Sequence, residues 1–168
     1  NTSNNPPATP IDGLTAYDSY DYGGTDNDNG MMARIQNAKD ITIEGIGDDA
    51  AIIGWGIHFM SGTAAYNAGL GKSCEVRNIH FEEYPEDAFG AEGVQSGTTL
   101  SAPVERIWVH NNSFGPGFCK VPAESDKAEG DGSCDFKRGN YYTMSYNKYW
   151  DCHKTNLIGS SDASLQYY

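Results

Sequence analysis

The sequence predicts an all-β chain wound as a solenoid, and three observations carry that prediction. Twenty Gly, seven Pro and eleven Tyr among 168 residues describe turn-rich β structure with few long helices. That length suits one domain with a sizeable core and is short for two. The decisive observation is a period. Short β-rich runs occur at DITIEGIG (40–47), CEVRNIHF (74–81), RIWVHNNSF (106–114) and YYTMSYNKY (141–149), and aligning their centres brings Gly45, Asn78, Asn111 and Tyr146 into register at separations of 33, 33 and 35 residues. Such runs are too far apart for tight hairpins, whereas a fixed period in this range signals coils that bury their faces only against neighbouring coils.

The elements follow in order. Residues 1–37, with TSNNPPATP and DSYDYGGTDNDNG, are polar and poor in branched apolar residues, and are read as an N-terminal arm or cap. Residues 38–168 form the solenoid domain, expected to continue past the C-terminus. Within CEVRNIHF, Val76, Ile79 and Phe81 alternate imperfectly with polar neighbours, as in a strand that bends sharply at Asn78. Asn tolerates the left-handed conformation such a bend needs and hydrogen-bonds along stacks of like side chains. The segment 94–104 reads as an inserted loop. An ordinary β-sandwich with uneven loops is the alternative.

Charge narrows the partners. Eleven basic against 23 acidic residues give a formal charge of −12, which excludes a nucleic-acid or anionic-membrane partner. No window holds 18 consecutive apolar residues, so no membrane-spanning helix is expected. The start NTSNNPPATP reads as a mature terminus left after signal removal, which implies secretion. Cys74, Cys119, Cys134 and Cys152 contain no CxxC pair, so a zinc cluster is not expected. An even count in a secreted chain predicts disulfides, with Cys119–Cys134 favoured because it would close the acidic loop between them; four buried thiols are the alternative.

Three stretches resemble the pectate lyases of polysaccharide lyase family 1. They are ITIEGIGDDAAIIGWGIHF with CEVRNIHF, then RIWVHNNSF, then GDGSCDFKRGNYYTMSYNKYWDCHKTNLIGSSD (130–162). The last carries D-G-x-x-D, S-Y-N-x-Y and H-K-x-x-L-x-G-S-S-D in order and is the most specific. His110-Asn111 stands where the family has Asp-His. The resemblance implies a right-handed, single-stranded parallel β-helix with a substrate groove over one sheet. It also implies Ca²⁺-dependent β-elimination on polygalacturonate, the acidic polymer of pectin. A cation that neutralises the uronate carboxylate stabilises the carbanion-like transition state.

Residue by residue, the resemblance assigns Asp131 and Asp135 as calcium ligands and Asp87, in PEDAFGAEG, as the third. Oxygen donors converging on one point suit a hard cation. Glu86 is read as a solvated neighbour. Lys154 corresponds to the lysine on a substrate carboxylate, a job for a strong point charge. His153 is read as a hydrogen-bonding residue, and Lys137 and Arg138 as groove-lining candidates of which one must point away. Gly159 to Asp162 (GSSD) reads as a structural turn, and Trp108, Tyr149 and Trp150 as core aromatics. The family's Arg-x-Pro-x-x-Arg segment, which carries the proton-abstracting arginine, would fall beyond Tyr168; Arg34, Arg77, Arg106 and Arg138 lie in no such motif. The base is therefore expected from a missing C-terminal segment or a second chain. A non-catalytic, calcium-dependent galacturonan-binding module is the alternative function. A pectin lyase would have no use for three aspartates around a cation, and a polygalacturonase would use a carboxylate pair and water.

Overall fold

The computed structural model describes residues 32–84, 86–117 and 130–159, and within them the chain returns to the same three sheets on every coil. The first coil contributes β1 (Met32–Gln36), β2 (Lys39–Glu44) and β3 (Ala51–Ile53). The second contributes β4 (Gly56–Met60), a short helix α1 (Thr63–Asn67), β5 (Lys72–Arg77) and β6 (His80–Glu82). The third has β7 (Phe89–Glu92), an antiparallel hairpin of β8 (Val94–Ser96) and β9 (Thr99–Ala102), then β10 (Val104–His110) and β11 (Ser113–Phe114). The fourth has β12 (Gly132–Lys137), β13 (Gly139–Ser145) and β14 (Lys148–Tyr149), and β15 (Lys154–Ile158) follows.

Sheet A is β1-β4-β7-β12-β15, sheet B is β2-β5-β10-β13 and sheet C is β3-β6-β11-β14. Every pairing in these three is parallel, so the fold is all-β with parallel sheets, compatible with a β-helix. β1 lies in the stretch read from sequence as the arm; residues 1–31 lie outside the described residues.

The period seen in the sequence corresponds to one corner. Asn78, Asn111 and Tyr146 sit between sheets B and C with φ of 63°, 54° and 56°. Asn111 N–H donates to the Ser145 carbonyl of the next coil. The asparagine ladder runs one position further on. Asn112 Oδ1 accepts from Ile79 N–H (3.1 Å) while its amide donates to Val76 C=O (2.9 Å). Asn147 Oδ1 accepts from Asn112 N–H (3.0 Å), and its amide donates to Val109 C=O (2.9 Å). Each amide thus satisfies backbone groups the bend removes from the sheet ladders. Asn112→Ala would leave the Ile79 N–H and Val76 C=O buried without these partners. It is expected to lower unfolding stability by about 2 kcal/mol, measured by urea denaturation.

Inside, side chains of like kind stack from coil to coil. Phe81, Phe114 and Tyr149 lie near-parallel at centroid spacings of 5.1 and 4.9 Å; Phe59, Phe89 and Phe136 follow at 5.8 and 5.9 Å. Val76, Ile107 and Val109 fill the space beneath sheet B. Tyr149 is therefore a core aromatic, as expected. Trp108 and Trp150 are not: both are on the surface, 44% and 36% exposed, stacked on His110 and His80. Trp108 alternates outward on β10 and Trp150 follows the end of β14, which aromatic character alone does not reveal.

Cys74, Cys134 and Cys152 are free thiols. The expected Cys119–Cys134 link is thereby corrected, with Cys119 itself outside the described residues. Cys134 belongs to the core cluster, fully buried on β12, so its sulfur faces the interior rather than the loop. Of the expected inserted loop 94–104, residues 94–102 form the β8–β9 hairpin and Val104 already begins β10.

Candidate functional site

The outer face of sheet A gathers the predicted acidic residues. Asp87 lies in the turn entering β7, and Asp131 in the turn entering β12. Two backbone bonds zip these turns together: Asp131 N–H to Glu86 C=O (2.7 Å) and Ala88 N–H to Gly132 C=O (3.1 Å). Asp135 then rises from β12 across the ladder from Gly90, beyond which His58 and Arg34 continue the row. Asp87, Asp131 and Asp135 are 3%, 7% and 2% exposed, rare values for carboxylates.

Gly132 shows how close the carboxylates come. Asp87 Oδ1 accepts from its N–H at 2.9 Å. A Cβ added there would sit 2.5 Å from Asp135 Oδ1 and 2.8 Å from Asp87 Oδ1. Only a residue without a side chain lets both oxygens crowd one backbone position.

The electrostatics follow from that crowding. Burial pushes the Asp87 carboxyl well above the ordinary range, and the neighbouring Asp135 adds to the rise; Lys137 opposes it. Burial also raises Asp135 to about 6; Lys137 counters it, while Asp131 and Glu86 raise it further. Glu86 is thus a fourth carboxylate within electrostatic reach, closer to the site than its reading as solvated surface charge implied. Asp135 Oδ1 is buried and accepts no hydrogen bond.

Cations border the cluster. Lys154, opposite Gly132 on β15, places its ammonium 2.6 Å from Asp131 Oδ1. Lys137 Nζ lies 3.8 Å from Glu92 Oε2, and Arg138 also pairs with Glu92. Both basic residues reach the same carboxylate because Arg138 occupies a left-handed corner (φ 53°), where simple strand alternation lapses. Glu92 and His58, whose Nε2 is 3.8 Å from Glu92 Oε2, were not singled out in the sequence. Nothing in EDAFGAEG separates a Glu that organises cations from a solvated one. His153 is half-buried beside Lys154. The segment 160–162 of GSSD lies outside the described residues.

Asp87 and Asp135, both buried, bring carboxylate oxygens together at Gly132, and oxygen donors are the kind a hard divalent cation takes. Among the described residues no three acidic, thiol or imidazole groups already enclose a common point. Asp131 is instead engaged by Lys154.

Comparison with known proteins gives one informative likeness. The chain is 31% identical over 130 residues to a pectate trisaccharide-lyase from Thermotoga sp. (strain RQ2). The match covers 76% of this chain and 30% of the relative's length. No family model and no solved structure matches. An all-β chain of parallel sheets, with an acidic cluster on one sheet face, is related in sequence to a pectate-lyase-like protein.

Proposed function

We propose that this chain is the calcium- and uronate-binding part of a secreted pectate lyase, folded as a right-handed parallel β-helix and acting on polygalacturonate. The observation that carries the reading is the approach of the buried Asp87 and Asp135 oxygens at Gly132, with Asp131 in the adjoining turn and Asp135 Oδ1 buried without a hydrogen bond. The likeness to a pectate trisaccharide-lyase supports the substrate class.

Asp87, Asp131 and Asp135 would hold Ca²⁺, whose positive charge would make the C5 proton of the uronate more acidic. Lys154, which pairs with Asp131 at 2.6 Å, would supply the positive charge for the sugar carboxylate, where a cation stabilises developing enolate charge. Glu92 holds Lys137 and Arg138 at the margin of sheet A, so that charge is fixed there before substrate arrives.

The test mixes the chain with polygalacturonate in Ca²⁺ or in a chelator and reads both binding and the ultraviolet absorbance of unsaturated uronate. Calcium-dependent binding of polygalacturonate is the expected result. Lys154→Ala should weaken binding about tenfold, as loss of one charged contact implies. Polymer binding that is indifferent to calcium and to Lys154 would sink the proposal.

A further inference from the structure

A second set of reactive groups lies on the outer face of sheet C, sharing no residue with the aspartate cluster. Ser113 on β11 stands directly across the ladder from His80 on β6. Its Oγ is 3.0 Å from His80 Nδ1, and His80 Nε2 is 3.1 Å from Glu82 Oε2. A carboxylate only accepts, so Nε2 carries a hydrogen; in the neutral imidazole Nδ1 then keeps its lone pair and accepts from the Ser113 hydroxyl. A hydroxyl on a base that is oriented by a carboxylate is the arrangement of an activated nucleophile.

The imidazole is held on more than its edge. Trp150 lies parallel to it, at 5.3 Å between centroids and 1° between planes. Gly115 makes this possible, since a Cβ there would come within 3.3 Å of both His80 Cε1 and Trp150 Cζ2. Lys148 is the partner of Ser113 on the other side of the ladder, its ammonium 5.0 Å from the Trp150 ring centroid. The side chains of His80 and Glu82 are 28% and 38% exposed. Water would satisfy them there, and an exposed pair of this kind contributes little stability.

Ser113 and His80 open on a groove of about 340 Å³ whose walls include Asn78, Asn111, Asp48 and Tyr146. Amide side chains with one exposed aromatic ring (Tyr146 is 83% exposed) suit a sugar, with polar edges to hydrogen-bond and an apolar face to stack.

We propose that Ser113, His80 and Glu82 form a serine-esterase centre that removes short O-acyl groups from a carbohydrate. Ser113 Oγ adds to the ester carbonyl carbon as its proton passes to His80 Nδ1. Lys148, paired with Ser113 across the ladder, is the residue that would offer positive charge to the resulting oxyanion. The bond from carbonyl carbon to sugar oxygen breaks, and His80 returns the proton to that departing oxygen. Water, deprotonated by His80, then attacks the acyl-serine, releasing a carboxylic acid and restoring Ser113. Glu82 is a positioning residue.

The test uses the full chain with diisopropyl fluorophosphate and p-nitrophenyl acetate. The expected result is one equivalent of phosphorylation on Ser113, at least about 100-fold faster than on any other serine, the scale of general-base assistance. Ser113→Ala should abolish labelling and acetate hydrolysis with the melting temperature nearly unchanged. His80→Gln should lower both by about 100-fold, with circular dichroism reporting the fold. Glu82→Gln should lower kcat for p-nitrophenyl acetate and leave KM in place. Labelling of Ser113 no faster than of other serines, or hydrolysis surviving in Ser113→Ala, overturns the proposal.

Discussion

Replacing Asp135 with Asn is expected to weaken Ca²⁺ binding by at least about 100-fold while making the metal-free protein more stable. The two effects have opposite signs for one reason. Asp135 is buried, its Oδ1 accepts no hydrogen bond, and it shares a small space with Asp87 near Gly132. A buried carboxylate without a compensating cation costs free energy, and a like charge beside it adds to the cost. Asn keeps the shape and removes the charge, which relieves Asp87 and should raise unfolding stability by about 1–2 kcal/mol. The same change removes an ionised oxygen donor from a site whose affinity depends on how many such donors converge. Calorimetric titration with Ca²⁺, and thermal melts with and without the ion, read the two effects separately. A purely structural carboxylate gives the reverse pattern, with lower metal-free stability and an unchanged calcium response; that outcome would remove Asp135 from the ligand set.

The corner between sheets B and C was legible because its demand falls on single residues. A left-handed backbone at Asn78 and Asn111 favours one residue type, and parallel stacking fixes the spacing, so both leave a mark in a linear sequence. Tyr146 at the same corner carries no such mark; only the period locates it. The strands of sheet A were harder to read. β12 is Gly132–Lys137, GSCDFK, and it is buried along most of its length because one face lies in the core and the other in the acidic cluster. Gly, Ser and Asp are depleted in ordinary strands, so propensity argues against a strand where the site needs one.

Within the site, Asp87, Asp131, Asp135 and Lys154 were found through motif context. Spacing alone does not bring Asp87 to Asp135. The zipping of two turns by Asp131–Glu86 and Ala88–Gly132 backbone bonds does that, and it depends on how many residues each coil spends between sheets. The pairing of Lys154 with Asp131 was equally hidden, since a lysine matched to a substrate contact gives no sign of its partner in the free protein. His80, Ser113 and Glu82 were unreadable for the same reason. Ser113 lies 33 residues, one coil, beyond His80 and meets it only once the register is set, while Glu82 is two residues from His80 on the same strand.

The acidic cluster also sets how stability should vary with pH. Asp135 rises from 3.8 to about 6 on folding, chiefly through burial, and Asp87 moves in the same direction. The folded state therefore holds protons that the unfolded state releases. Their contribution is complete below the unfolded value of 3.8 and is lost as pH rises through about 6. For Asp135 the rise corresponds to about 3 kcal/mol, so metal-free protein should melt several degrees lower at pH 7 than at pH 4.5. Saturating Ca²⁺ should remove most of this loss, because the cation stabilises the ionised carboxylates. Binding measured near pH 6 should also release protons, visible as an enthalpy that changes with the ionisation enthalpy of the buffer. Carboxylates already matched by Lys137 and Lys154 would give flat stability over this window and no proton release. A falling melting temperature that calcium restores, with protons expelled on binding, is the behaviour of an acidic cluster that needs a cation to be charged.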